Sequence, residues 1–462
     1  MISLPQPVSS FISTFAAAGY ECFAVGGSVR DLLTGKPTHG WDFTTNAKPE
    51  EILALFPDSF YDNQFGTVGV KIYSSVPDGE TRPAESKPDD IFEVTTYRSE
   101  QGYKDHRHPD TVIWGKTLQE DLSRRDFTIN AIAYDGTTLH DPYNGQEDLK
   151  NRIIRTVGNP SERFAEDALR MMRAVRQASE VGCMIDPKTL EAIQQSSALL
   201  PTISAERIRD ELLKLLASSF PADGVLLLKS TGLLHYVIPE LEGAFDVQQK
   251  SPKRHHIYDV GTHSVEALRH CPSTDAIVRL ATLLHDIGKI KTYRKDETGL
   301  ITFYNHEMVS AKLARNICAR LRLSKKQTEK IISLVRWHQF SVDERQTDSA
   351  IRRFIRNVGK DYLEDILALR IGDRLGGGAS ETSWRLELFK KRLEEVQKQP
   401  FTVADLKVNG FDVMSLFGCK PGPIIGTTLA AIFSEVEAGT LKNERDILLE
   451  RLANMQKSDP VL

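Results

Sequence analysis

Strand-forming sequence stops early in this chain. Short runs rich in Val, Ile, Thr and aromatic residues, "CFAVGG", "GWDFTT", "GTVGVKIY" and "DIFEVTTYR", all fall within the first 136 of 462 residues. From about residue 160 the period changes from two to 3.6, and "SERFAEDALRMMRAVRQASE", "DPKTLEAIQQSSALL" and "SAERIRDELLKLLASS" read as amphipathic helices, each opened by a Ser or Asp cap. Such a chain cannot build one large sheet. It predicts an α+β molecule whose small, mixed or antiparallel sheet lies at the N-terminus, with an extended all-α body behind it. The length exceeds what one hydrophobic core supports. The divisions read as a head over 1–136, a helical neck over 137–220, an all-α unit over 221–395 and a C-terminal helical segment over 396–462.

Charge and cysteine usage narrow the function classes. A formal net charge of −4 offers no global attraction to a polyanion, so any nucleic-acid surface must come from local clusters such as "RLRLSKKQTEK", "IRRFIRNVGK" and "FKKRLEE". Five scattered cysteines, none spaced as CxxC, predict a reducing cytoplasm with neither a disulfide framework nor a thiolate zinc site. The opening "MISLPQPVSSFISTFAAAGYECF" reads as an amphipathic first helix rather than a signal peptide, and nothing approaches a membrane span.

Four stretches carry chemistry. In "GGSVRD" a strand ends in two glycines before a helix; amides there, at Gly27, can approach phosphate oxygens, and Arg30 adds charge in the first turn. In "GWDFTT" the strand period puts positions 40, 42 and 44 on one face, so Asp42 can face the groove beside the glycine turn, and Glu93 on "DIFEVTTYR" can supply a second carboxylate to the same Mg²⁺. In "DLSRRDFTINA", Arg124, Arg125, Asp126 and Asn130 combine phosphate-binding cations with groups able to hydrogen-bond ribose hydroxyls. In "EDALRMMRAVR", read as one helix, Asp167 and Arg170 lie three apart, with Arg173 and Arg176 extending the row. An Asp accepting from an exocyclic amino group beside an Arg donating to a ring acceptor matches cytosine or adenine. Uracil and guanine would oppose carbonyls to the Asp, at a cost of about 1–3 kcal/mol per lost pair. Singly, each stretch also has an ordinary meaning, as a tight turn, a solvated strand or an exposed Glu/Arg ladder.

Together these stretches closely resemble one family, the class II tRNA nucleotidyltransferases and bacterial poly(A) polymerases of the DNA polymerase β superfamily. "GGSVRDLL", "WDFTT", "FEVTTYR", "RRDFTINA", "DPYNGQEDL", "RFAEDALRMMRAVR" and "ERIRDELLKLL" occur in the family's order over residues 20 to about 216. The resemblance implies a polymerase β-like head in which Gly27 and Arg30 hold the triphosphate and Asp42 ligates Mg²⁺. It further implies that Arg125, Asp167, Arg170, Arg173 and Arg176 bind incoming CTP or ATP, and that C, C and A are added to tRNA 3′ ends with the protein as template. One departure stands out: the family's strand carries Asp-x-Asp, and this chain has Gly40-Trp41-Asp42. Either the chain is an inactivated variant, or Glu93 and substrate phosphates hold a weakened metal site, or transfer has been abandoned; retention of the base-reading residues favours the first two. The expectation is CTP binding with severely reduced turnover. "YKDHRHPDTVIW" resembles the family's flexible loop and favours full CCA over CC-only addition.

A second constellation lies in the body. "VGTHSVEALRH", "LLHDIGKIKTY", "YNHEMVSAKLA", "VRWHQF" and "RIGDRLGGG" place His263, His285, Asp286, His306, His338 and Asp373 on successive helices. An adjacent His-Asp pair inside an apolar helix demands a charge partner, and a divalent metal is one. These positions resemble the HD metal-dependent phosphohydrolase superfamily over about 256–374. That implies His263, His285, Asp286 and Asp373 as ligands of a first ion, His306 and His338 for a second, and Lys289 near phosphate. Nitrogen and oxygen ligands suit Mn²⁺, Fe²⁺, Ni²⁺ or Mg²⁺. The resemblance implies removal of phosphate or 2′,3′-cyclic phosphate from tRNA ends as the type of reaction. Two alternatives remain: a poly(A) polymerase, and a phosphohydrolase whose head only binds RNA.

Overall fold

The computed structural model describes residues 3–38, 40–63, 66–73, 87–101, 111–249, 258–340, 343, 345–397 and 403–458. The expected α+β division holds. Among the described residues, nine strands precede residue 141: β1 Cys22–Val25, β2 Asp42–Thr45, β3 Ser59–Asn63, β4 Thr67–Ile72, β5 Asp90–Thr96, β6 Arg98–Gln101, β7 Thr111–Trp114, β8 Ala133–Tyr134 and β9 Leu139–His140. Seven of them form one sheet in the order β3-β4-β5-β2-β1-β8-β9, and β6 and β7 pair separately. The sheet is mixed: β2 runs parallel to β5, whereas β1 is antiparallel to β2 and β8.

The sheet's two faces differ because the strand residues alternate. The first helix, Gln6–Ala17, buries Val8, Phe11, Ile12 and Phe15. Its Phe11 ring sits 4.7 Å from Phe43 and 5.2 Å from Phe92, so an aromatic wedge closes one face. Asp42 and Glu93 are exposed. They are register partners on the adjacent strands β2 and β5.

Gly40 corrects the strand reading. β2 begins at Asp42, and Gly40 stands outside it with φ +74°, so positions 40, 42 and 44 do not form one strand face. A glycine backbone enters that left-handed region freely, and the chain turns before pairing starts.

Beyond residue 141 the body is helical apart from two-residue strand pairs, Ile153–Ile154 with Met184–Ile185 and Arg294–Lys295 with Ile301–Thr302. One hydrophobic core runs from Phe127 to Val396, and a smaller one spans Leu406 to Leu452. Among the described residues, no helix is long and apolar enough to cross a membrane.

Candidate active site and a buried histidine centre

In the head, the glycine turn, β2 and the "RRD" segment meet at one point. A methyl group placed on Gly26 would lie 3.5 Å from Asp42 Oδ2 and 3.4 Å from an Arg125 guanidinium nitrogen. The helix Gly27–Leu33 starts there, carrying Arg30. Surrounding protein mass raises the Asp42 carboxyl above its ordinary pKa, while the positive charges of Arg125 and Arg173 pull it back down. Arg173 belongs to the helix Leu169–Val181, so that helix and the carboxylate strand share one electrostatic site.

A continuous polar chain holds that convergence. Arg30 Nη1 donates to Asn130 Oδ1 at 3.1 Å, and Asn130 Nδ2 donates to Asp126 Oδ1 at 3.1 Å and to Gln177 Oε1 at 3.0 Å. Arg173 closes the chain on Asp126 Oδ2 at 2.6 Å. Burial alone would raise the Asp126 carboxyl; Arg173, Asn130 and Arg170 outweigh it and hold the group down to about 2. Asp126 and Asn130 are therefore buried, with polar atoms committed inside the protein.

Asp167 requires a correction. It does not lie on a helix with Arg170: with φ −143° and ψ 104° it breaks the chain between the helices Pro160–Glu166 and Leu169–Val181. Its carboxylate accepts from the Leu169 amide at 3.0 Å, so the side chain itself starts the second helix. The same carboxylate pairs with Arg207 Nη2 at 2.7 Å. Arg170 turns to Glu166 at 2.5 Å and to the Arg124 carbonyl at 3.3 Å; Arg176 pairs with Glu211 and Glu180, each at 2.6 Å. Arg207, Gln177 and Glu211 were not singled out from sequence. Arg207 stands in the quoted "ERIRDELLKLL", but no local spacing connects it to a residue 40 positions earlier. The "YKDHRHPDTVIW" loop falls outside the described residues except for β7 at its end.

In the body, six expected ligands come together from five helices and their ends. His263 lies in the helix Val260–Arg269, His285 and Asp286 follow Ala276–Leu284, His306 opens His306–Arg320, His338 ends Lys325–Trp337, and Asp373 lies in Leu363–Gly376. Close packing makes this possible. A Cβ on Gly372 would stand 2.4 Å from the Ala267 carbonyl, and one on Gly288 would stand 2.3 Å from the His306 carbonyl. Only glycine lets these segments approach so closely.

Asp286 sits between two triads whose ligand atoms lie within 4.8 Å of one another. Its Oδ2 faces His263 Nε2 at 3.4 Å and His285 Nε2 at 3.3 Å; its Oδ1 faces His306 Nε2 at 3.1 Å and His338 Nε2 at 3.5 Å. Asp373 Oδ1 reaches His263 at 3.2 Å. The Nδ1 atoms of His285, His306 and His338 lie 2.7, 2.9 and 2.7 Å from backbone carbonyls three residues back. A carbonyl only accepts, so Nδ1 carries the proton and Nε2 presents its lone pair inward. The His306 and His338 Nε2 atoms then oppose each other at 3.4 Å, an arrangement that calls for a cation between them. Without an ion a proton takes the cation's place: burial pushes the His285 imidazole down, yet the Asp286 and Asp373 carboxylates lift it to about 10, so its Nε2 holds a proton that a metal would displace, and both carboxyls are held well below their ordinary range. The donor set fits one or two divalent ions.

Known proteins are similar to this chain over most of its length. A "Poly A polymerase head domain" model covers residues 22–155, "Probable RNA and SrmB- binding site of polymerase A" covers 182–245, and a "tRNA nucleotidyltransferase domain 2" model covers 293–452. A CCA-adding enzyme of Levilactobacillus brevis is 34% identical over 95% of each chain. The chain belongs to the CCA-adding enzyme family. An A-adding tRNA nucleotidyltransferase of Deinococcus radiodurans is also 34% identical, over 88% of this chain and 89% of its own. The solved CCA-adding enzyme of Bacillus stearothermophilus in complex with CTP is 29% identical over 98% of both chains, with a TM-score of 0.68. This CCA-adding family member thus extends the resemblance read over residues 20 to about 216 to almost the full chain.

Proposed function

We propose that this protein adds C, C and A to tRNA 3′ ends by metal-dependent nucleotidyl transfer from CTP and ATP. The single observation carrying the reading is the convergence of Asp42, Arg125 and the Gly26–Gly27 turn, with Arg173 close enough to act on the Asp42 charge. Asp42 and Glu93 would hold Mg²⁺, which supplies activation of the primer hydroxyl and charge neutralisation on the triphosphate. The amide at Gly27 and the guanidiniums of Arg30 and Arg125 bind the phosphates and orient the α-phosphorus for in-line attack. The Asp126–Asn130 pair positions Arg30 and Arg173. Asp167 and Arg170 read the base edge, and Arg176 braces the reading helix against Glu211.

Gly40 lowers the rate, because a carboxylate that the family places there is missing. Among the described residues nothing lies within 4 Å of a Cβ added there, so Gly40→Asp meets no clash, while φ +74° imposes backbone strain on any L side chain. Incorporation of labelled CTP and ATP into tRNA lacking its tail, across a Mg²⁺ titration, tests this. Gly40→Asp is expected to raise the rate and lower the Mg²⁺ requirement; an unchanged rate overturns the role assigned to position 40. The Deinococcus radiodurans relative favours a second reading, A addition alone. A tRNA already ending in CC, extended with ATP while tail-less tRNA is refused, would select it.

The histidine centre is proposed as a metal-dependent phosphohydrolase in which His263, His285, Asp286 and Asp373 hold one ion, and His306 and His338 share Asp286 with a second. Mn²⁺, Ni²⁺, Fe²⁺ or Mg²⁺ suits these ligands. Chelation and Asp286→Ala should each abolish phosphodiester hydrolysis; activity unchanged by both makes the cluster structural.

A further inference from the structure

Gln177 takes no part in the chemistry proposed for the head, yet it stands where packing alone would place an apolar side chain. It lies on the helix Leu169–Val181 among Met171, Met172, Ala174, Val175 and Ala178, all buried, and is itself 1% exposed. A buried amide gives up its water, a cost that an apolar side chain of similar size avoids, so its hydrogen bonds carry the reason for its presence. The bond it makes crosses from the helical neck to the head: Gln177 Oε1 accepts from Asn130 Nδ2 at 3.0 Å, 47 residues away in sequence.

That bond helps decide which way the Asn130 amide faces. Asn130 Nδ2 carries two hydrogens, and the second goes to Asp126 Oδ1 at 3.1 Å. Both partners are oxygens that only accept, so a flipped amide would set oxygen against oxygen at both places. Held this way round, Asn130 turns Oδ1 to Arg30, whose Nη1 donates to it at 3.1 Å. Asp31 holds the same guanidinium through Nε at 3.0 Å and Nη2 at 2.9 Å. Arg30 is thus aimed from two sides, and one of them ends on the neck helix.

Spacing along that helix gives the arrangement a use. Gln177 follows Arg173 by four positions and Arg170 by seven, so the three share one face. Arg170, with Asp167, is the proposed reader of the base edge. A two-turn helical segment moves as one piece, so a base that displaces Arg170 displaces Gln177 as well.

We propose that Gln177 is a positioning residue that couples base reading to the grip on the triphosphate: it holds the Asn130 amide, and through it Arg30, in line only while the helix Leu169–Val181 is in register with the head. A uracil or guanine then loses phosphate binding in addition to its own base-edge hydrogen bonds, and discrimination exceeds what the base edge alone supplies. The inference deepens the nucleotidyl-transfer reading and rests on it for the roles of Arg30 and Arg170.

Equilibrium binding of CTP, UTP and CMP to the full-length protein in Mg²⁺ tests it, with labelled CTP incorporation into tail-less tRNA and thermal unfolding followed for every variant. Gln177→Leu removes the acceptor and should weaken CTP about tenfold while leaving UTP and CMP within about twofold, because UTP never brings the helix into register and CMP lacks the outer phosphates. Gln177→Asn keeps an amide but not its reach; it should match Gln177→Leu, and it carries the test should the leucine variant fail to fold. Gln177→Glu keeps an oxygen acceptor and should bind CTP within about threefold of the parent. In an Asn130→Ala background, Gln177→Leu should change CTP binding by less than about twofold, since the path to Arg30 is already cut. CTP binding unaltered by Gln177→Leu and Gln177→Asn overturns the proposal. So does an equal loss for CTP, UTP and CMP, an equal loss in Gln177→Glu and Gln177→Leu, or full additivity with Asn130→Ala, each of which makes Gln177 a packing residue. The expected binding pattern without incorporation by the parent sinks the transfer reading alone. Incorporation by the parent with CTP binding indifferent to Gln177 sinks this proposal alone.

Discussion

Asp167 carries two duties, starting the helix Leu169–Val181 and presenting a carboxylate that Arg207 holds at 2.7 Å. In the proposed base-reading role of Asp167, Arg207 would fix the direction from which a base amino group approaches. Arg207→Ala is expected to lower kcat/KM for CTP roughly tenfold and to narrow the preference for CTP and ATP over UTP and GTP, measured by single-nucleotide incorporation with each triphosphate. Arg173 acts differently, since it neutralises Asp126. Arg173→Ala leaves that carboxylate buried, and a loss of about 2–3 kcal/mol is expected by denaturant titration, below the ~3–5 kcal/mol of a fully buried pair because Arg173 is partly open to solvent. The same pair sets an acid limit. Because Asp126 is held down to about 2 in the folded protein, its contribution is present above the ordinary Asp pKa and disappears as the pH falls from about 4 toward 2. Individual residues also mark where sequence reading stopped. Strand period put Asp42 and Glu93 on separate strands, and only the parallel register of β2 with β5 makes them neighbours; "ERFAEDALRMM" has helical composition throughout, so the break at Asp167, made by one side chain capping one amide, left no trace in periodicity. Asp126 and Asn130 read as polar groups available to ribose because burial depends on Arg30, Gln177 and Arg173, which arrive from distant segments.

Helix ends place His285, Asp286, His306 and His338 in the histidine centre, while His263 and Asp373 come from within helices. His285 and His338 follow the last turns of their helices and His306 begins one, so each ring can bond a carbonyl three residues back while Nε2 points inward. The adjacent His285-Asp286 pair and the family resemblance pointed to the cluster; the tautomers and the two-sided use of Asp286 emerge only when five elements pack. Packing tolerance is correspondingly small. Gly372→Ala should force Leu363–Gly376 away from Ala267, costing about 1–3 kcal/mol and reducing bound metal, read by thermal unfolding and metal analysis on one sample. The charge balance adds a pH signature. In chelated protein His285 has a folded-state pKa of about 10, above the ordinary 6.5, so its stabilisation is complete below pH 6.5 and is lost as pH rises toward 10. Stability of chelated protein should therefore fall between pH 7 and 9, whereas a bound divalent ion replaces the proton and flattens that slope. Equal slopes with and without metal would contradict the cation requirement.

For the whole molecule, the early end of strand sequence located the sheet, and the order of motifs located the site within it. The body's connectivity was less visible. The neck and the histidine region share a core from Phe127 to Val396, which no composition shift reveals, since both are amphipathic helices of similar makeup. Removing metal from the centre should consequently lower the unfolding temperature of this whole core rather than of a local segment. The net charge of −4 makes the tRNA surface a matter of local Lys and Arg clusters, so tRNA affinity should fall with salt more steeply than CTP affinity.

The central claim is that the Asp42–Glu93 strand pair and the Arg125–Arg173 guanidiniums serve one triphosphate. Its most direct test is to measure CTP binding and labelled CTP incorporation into tail-less tRNA side by side, for the protein and for Asp42→Asn. Binding is expected within a few-fold of the parent and incorporation is expected to fall by at least about 10²-fold, since only the metal-holding charge is removed. Incorporation unaffected by Asp42→Asn would place transfer elsewhere and contradict the account.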